Sequence, residues 1–173
     1  ERAMMTQKFP SLKEAFASVC SEFNIQCDEQ MQENLIGMWN KSWMLATPYE
    51  EVAEILQDLK EKFKLVLISN TDNFSINNVL EKYSLKDYFD RMFFSYEMGM
   101  IKTDKNFLKA VLAELGLTPE DCLVVGDSIQ SDMIAAQRLG IKAVLVDRND
   151  TRDYTLKIKN LRELMAVLEE EQW

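Results

Sequence analysis

The 173-residue chain contains no histidine. That absence removes Ser-His-Asp and Cys-His catalysis, and with them the HExxH and Cys₂His₂ metal sites. Any chemistry here falls to carboxylates, lysine, hydroxyls or a bound metal. Cysteine is scarce as well: Cys20, Cys27 and Cys122 are an odd set with no CxxC spacing. They fit buried thiols of a reducing cytoplasm, not a disulfide or zinc framework. No apolar run approaches the roughly 20 residues that span a bilayer, and no secretory segment opens the chain, so a cytoplasmic location is expected. Basic residues are outnumbered, 20 against 29 acidic. This excludes nucleic acid and anionic membrane as general partners. A GxGxxG run is missing, and so is any dinucleotide fingerprint. The chain opens Glu1-Arg2-Ala3 and not on methionine, which predicts a natural segment ahead of it.

Apolar residues are plentiful, at 47%, enough for one core with a small appendage. Residues 1–46 read as a helical unit of two or three helices. Leu12, Ala15, Phe16 and Val19 recur at helical spacing behind a Ser11 cap, and Met31, Leu35, Met38, Trp39 and Trp43 follow Asp28. Trp39 and Trp43 share one helix face, either as packing between helices or as a substrate wall. Thr47-Pro48 is expected to open the next helix. From there to residue 173, apolar strands at 65–68, 92–94, 123–125 and 143–146 alternate with amphipathic helices. Gly116 and Gly140 close two of those helices. The alternation predicts an α/β domain over 47–173, a right-handed, doubly wound parallel sheet.

Polar clusters stand at the strand ends, where open α/β sheets hold their ligands. Ser69-Asn70 follows the first strand, Lys102 lies beyond the second, and Gly126-Asp127 ends the third with Asp132 five residues on. Two carboxylates so placed suit Mg²⁺, which takes one or two of them plus substrate phosphate. A hydroxyl and an ammonium suit phosphoryl oxygens. Taken singly, each has a plain structural role: a turn serine, a surface lysine, a strand-end aspartate, and a helix cap at Ser131-Asp132.

The order Leu65-Val66-Leu67-Ile68-Ser69-Asn70, then Gly99-Met100-Ile101-Lys102, then Val124-Val125-Gly126-Asp127 through Asp132, resembles the haloacid dehalogenase-like (HAD) hydrolase superfamily. The resemblance covers residues 47–148. It implies a Rossmann-like core with a small helical cap, which residues 1–46 would supply in part. It also implies a Mg²⁺-dependent phosphatase acting on a small phosphorylated substrate. Ser69 and Asn70 would bind the phosphoryl group, Lys102 would offset its charge, Asp127 would bind Mg²⁺, and Asp132 would support the metal shell or Lys102. A metal-independent dehalogenase, or a non-catalytic module keeping the phosphate and Mg²⁺ pocket, is the alternative. Thr103 stands where the family has proline. The family's first motif, a strand ending in Asp-x-Asp-x-Thr, does not occur in residues 1–46. The chain alone is therefore expected to lack its nucleophile and the central strand of its sheet. It would need that segment, a strand borrowed by self-association, or direct pairing of the two flanking strands.

Overall fold

The computed structural model describes residues 2–170. In chain order the helices α1 (Arg2–Met5), α2 (Leu12–Glu22), α3 (Glu29–Leu45) and α4 (Val52–Lys62) come first. Then follow β1 (Val66–Ser69), α5 (Ser75–Lys82), β2 (Arg91–Phe94), α6 (Ser95–Met98), α7 (Phe107–Leu115) and β3 (Leu123–Gly126). After a π-helical turn at Ile129–Met133 come α8 (Ile134–Gln137), β4 (Lys142–Val146), β5 (Lys157–Ile158) and α9 (Arg162–Glu170). All strand pairings are parallel, in two sheets ordered β1-β2 and β3-β4-β5. This is the α/β, Rossmann-like organisation that the alternation predicts. β1 and β3, the strands expected to flank the missing one, each have one ladder neighbour, and no ladder joins them among the described residues. No described helix is long and apolar enough to cross a membrane.

The chain divides into two compact units, residues 1–48 with 62–101, and residues 49–61 with 102–173. In the first, the Ser11 hydroxyl accepts the Glu14 amide (3.2 Å), so the expected cap forms, and the Asp28 carboxylate caps α3 by accepting the Met31 amide (2.8 Å). Met4, Ala15 and Phe16 are buried, with Leu35, Ile36, Trp39 and Phe74 against them. The Phe16 and Trp39 rings meet edge to face at 5.8 Å. Yet α3, 17 residues long, buries none of its side chains fully, and Met38 and Leu45 are 71% and 68% exposed. Its C-terminal carbonyls are satisfied from α5 and the residue after it: Lys82 Nζ donates to Met44 O (3.0 Å) and Tyr83 OH to Ala46 O (2.8 Å). The Cys20 and Cys27 thiols are neighbours; hydrogen bonding between them pushes the Cys27 thiol up to about 11.

In the second unit β4 is the strand buried along most of its length, while β3 is only half covered and Val125 is exposed. α4 begins four residues later than Thr47-Pro48 leads one to expect. Tertiary contacts take the intervening residues: the Tyr49 ring lies 3.3 Å under the Arg148 guanidinium. Glu51, almost wholly buried, has Arg148 Nη2 2.8 Å from its Oε1, close in distance but outside hydrogen-bond geometry. Burial opposes ionisation of Glu51, but its own backbone amide, Arg148 and the Leu161 amide prevail and hold its carboxyl below the ordinary range.

Candidate active site

The first unit carries Ser69 and Asn70. Ser69 is the last residue of β1, opposite the buried Phe94 in the parallel register, and Ser69 and Asn70 are half-buried. The turn that follows is braced by Ser95, which is wholly buried. Ser95 Oγ accepts the Thr71 amide (2.9 Å) and donates to the Thr71 carbonyl (3.1 Å), so a side chain extends the β1-β2 pairing past the strand ends. Asp72 then caps α5: its Oδ1 accepts the amides of Phe74 (2.8 Å) and Ser75 (2.9 Å). Its Oδ2 accepts the Trp39 indole N–H (3.2 Å).

The second unit carries Lys102, Asp127 and Asp132, and it brings two of them into contact. Lys102 Nζ lies 2.5 Å from Asp132 Oδ1, with the two side chains only 14% and 4% exposed. Asp132 Oδ2 accepts the Ser128 amide (3.0 Å), so both carboxylate oxygens are engaged within the chain. The helix start expected at Ser131-Asp132 lies earlier. Ser128 is the cap: its hydroxyl accepts the Ser131 amide (3.2 Å), and its carbonyl accepts Asp132 N and Met133 N. The wider π turn points Asp132 back over the end of β3. There Gly126 is required for close approach, since a Cβ on it would sit 2.3 Å from Asp132 Oδ2.

Asp127 follows β3 and is exposed, and nothing among the described residues engages its carboxylate. No group of three metal-ligating side chains occurs among those residues. Asp127 is the carboxylate here that could serve as a single protein ligand to Mg²⁺, an ion that takes one or two carboxylates together with phosphate and water. Asp132 acts on Lys102.

Arg152, absent from the sequence expectations, grips the same end of the sheet. Its guanidinium donates to the Asp127 carbonyl, to Val146 O (2.8 Å) and to Asp147 Oδ1 (3.1 Å). Asp147, wholly buried just past β4, also accepts the Arg152 amide at 2.7 Å. That backbone amide most of all, then the Arg152 guanidinium and Lys157, hold the Asp147 carboxyl below its ordinary range against the effect of burial. A charged stretch at residues 148–153 gives no sequence signal for this role. Ser95 gives none either, whereas Asp72, shortly before an apolar helix, carries the signature of a cap.

A family model described as haloacid dehalogenase-like hydrolase matches residues 9–146. The glyceraldehyde 3-phosphate phosphatase of Methanothermobacter thermautotrophicus is 28% identical over 127 residues, 71% of this chain and 56% of that protein. The phosphoglycolate phosphatase of Aquifex aeolicus is 29% identical over 123 residues, 68% of this chain and 57% of that one. The Bacillus subtilis HAD-hydrolase YfnB, solved bound to magnesium, superposes with a TM-score of 0.72 at 19% identity, covering 91% of this chain and 70% of its own. The chain spans about half the length of the curated relatives it matches.

Proposed function

We propose, from the premise that this chain belongs to the haloacid dehalogenase-like hydrolases, that it forms the phosphate- and magnesium-handling part of a phosphatase for a small phosphorylated metabolite. The observation that carries the reading is the buried Lys102–Asp132 pair beside the unengaged Asp127 carboxylate. A lysine fixed by a carboxylate can hold its ammonium at a phosphoryl oxygen without reorganising during the reaction. Asp127 is the carboxylate left to take Mg²⁺, whose contribution when bound is to polarise the phosphoryl group. In the first unit, Ser69 and Asn70 are the groups suited to donate to phosphoryl oxygens. The relatives that are phosphatases favour phosphate esters over halogenated acids as substrates. The helices of residues 1–46 would serve as part of the cap, and 47–173 as the core.

In this reading an aspartate nucleophile, which residues 1–46 do not offer in an Asp-x-Asp-x-Thr setting, comes from outside these 173 residues. It would attack phosphorus while the second aspartate of that motif protonates the departing alcohol oxygen, and water would then release phosphate from the aspartyl phosphate and restore the carboxylate. The 173-residue chain alone would be inactive. The test is to place a strand ending in Asp-x-Asp-x-Thr ahead of Glu1 and assay a generic aryl phosphate with and without Mg²⁺. Hydrolysis should appear only with the added strand and Mg²⁺, fall about 10²–10³-fold in Lys102→Ala, and vanish in Asp127→Ala. Mg²⁺-dependent turnover by the short chain would overturn the account of the nucleophile. A folded, extended chain that stays inactive would favour the binding module.

A further inference from the structure

The first unit contains a cavity of about 310 Å³ that the phosphate chemistry leaves unused. This is the lower end of the range for small-molecule sites. Met5 of α1, Trp39 and Trp43 of α3, and Ile76 and Val79 of α5 make most of its wall. Trp43 Nε1 is spent on Asn40 Oδ1 (3.1 Å), so its ring serves the cavity as an apolar surface. The polar corner is the turn after Ser69-Asn70, where Thr71, Asp72 and Ser75 reach the cavity.

Charge at that corner has one sign. Asp72 is 2% exposed, and its oxygens are occupied by the α5 amides, the Ser75 hydroxyl and the Trp39 indole. Among the described residues, no lysine or arginine lines the cavity. A second anionic group on a ligand would face the Asp72 carboxylate across the cavity with no cationic side chain of the described lining to offset it. A neutral group, apolar on one face and hydroxylated on the other, meets indole and aliphatic walls on one side and the Thr71 and Ser75 hydroxyls on the other. Those hydroxyls donate to Asp72 and keep acceptor capacity for a ligand hydroxyl. Thr71 is two residues from Ser69, within about 7 Å along even a fully extended chain. A phosphoryl group held at Ser69 thus leaves its organic substituent within reach of the cavity.

We propose that this cavity seats the organic part of the phosphate ester and selects uncharged, partly apolar alcohols against carboxylate-bearing ones. The inference rests on the phosphatase reading, because it needs a phosphoryl group at Ser69. Binding is measured on the chain extended by the strand ending in Asp-x-Asp-x-Thr, with the first aspartate of that strand replaced by asparagine so that the esters are bound and not hydrolysed. The probes are phenyl phosphate, 4-carboxyphenyl phosphate and inorganic phosphate, titrated by calorimetry with Mg²⁺ present. Phenyl phosphate should bind at least tenfold more tightly than its carboxylated counterpart. Asp72→Asn, which keeps a capping side chain, should narrow that ratio to threefold or less. Equal affinities in the parent chain, or an unchanged ratio in Asp72→Asn, overturn the assignment. If inorganic phosphate binds but the esters are not distinguished, the cavity assignment alone fails. If inorganic phosphate does not bind, the phosphatase reading fails and takes the cavity with it.

Discussion

Replacing Gly126 with alanine would put a Cβ 2.3 Å from Asp132 Oδ2, 2.5 Å from its Cγ and 2.7 Å from its Cβ. The last of these is anchored close to the backbone, so rotating the carboxylate does not relieve the overlap. Nor is there room to retreat, because Asp132 is 3% exposed and tied to Lys102 Nζ and Ser128 N. The alanine must therefore expel the carboxylate from between its two donors. Breaking a buried ion pair while leaving one partner in place costs about 3–5 kcal/mol. A glycine-to-alanine change in an unstrained strand would gain roughly 0.5–1 kcal/mol, so the pair decides the sign. Asp132→Ala should cost about the same on its own, for the same lost pair. The double variant loses the pair only once but keeps the 2.7 Å overlap between the two Cβ atoms, so it should cost more than Asp132→Ala alone and still fall short of the sum by the value of one pair, about 3–5 kcal/mol. Equilibrium urea unfolding followed by tryptophan fluorescence reads this out. With an m-value of about 2 kcal/mol/M, each variant should unfold roughly 2 M earlier than the parent. Additive losses, or a Gly126→Ala midpoint within 0.5 M (about 1 kcal/mol) of the parent, would refute the claim that this glycine exists to admit the Asp132 carboxylate.

Two further outcomes follow from the titrating groups. Asp147 is held below its ordinary carboxyl range, so its contribution to stability is complete above the unfolded value near 3.9 and is lost as pH falls through the lower folded value. Asp147→Asn should flatten that acid limb. Arg152→Ala should flatten it only in part, because the backbone amide at position 152 remains; equal slopes in all three proteins would contradict the assignment. For Cys27, a thiol near 11 holds few thiolates at neutral pH. Its reaction with an aromatic disulfide at pH 8 should run at least tenfold slower than that of an ordinary exposed cysteine, whose value is about 8.5. Cys20→Ala should speed it up.

Lys102, Asp127 and Asp132 were legible because each follows an apolar strand or opens the segment after one, where polar side chains have little structural reason to gather. That Asp132 reaches Lys102 was only half legible, since a carboxylate five residues past a strand end can turn either way. The π turn settles it, and its cause is tertiary: Ser128 and Ser131-Asp132 offer the same capping chemistry, and packing over Gly126 chooses between them. α4 shows the same limit. Pro48 is a good first-turn residue, but Arg148, a hundred positions away, holds Tyr49 and Glu51 out of the helix. Arg152 was illegible for another reason. It stands in a run of charges that reads as a solvated loop, and only the fold reveals two carbonyls and a carboxylate waiting for one guanidinium.

The sparse burial of α3 has an evolutionary side. A residue locked in a core can change only at a cost of several kcal/mol, which a marginally stable domain rarely tolerates. Leu35, Ile36 and Trp39 commit the first part of α3 to the core, but its end is tied down through backbone carbonyls, which any side chain would present equally well. Ser42 and Trp43 can thus be exchanged with little risk to folding, while Asp72 and Ser75 on the opposite wall are committed to starting α5. One side of the cavity is free to drift and the other is fixed. New substrate preferences in descendants of this chain should accordingly arise first on α3.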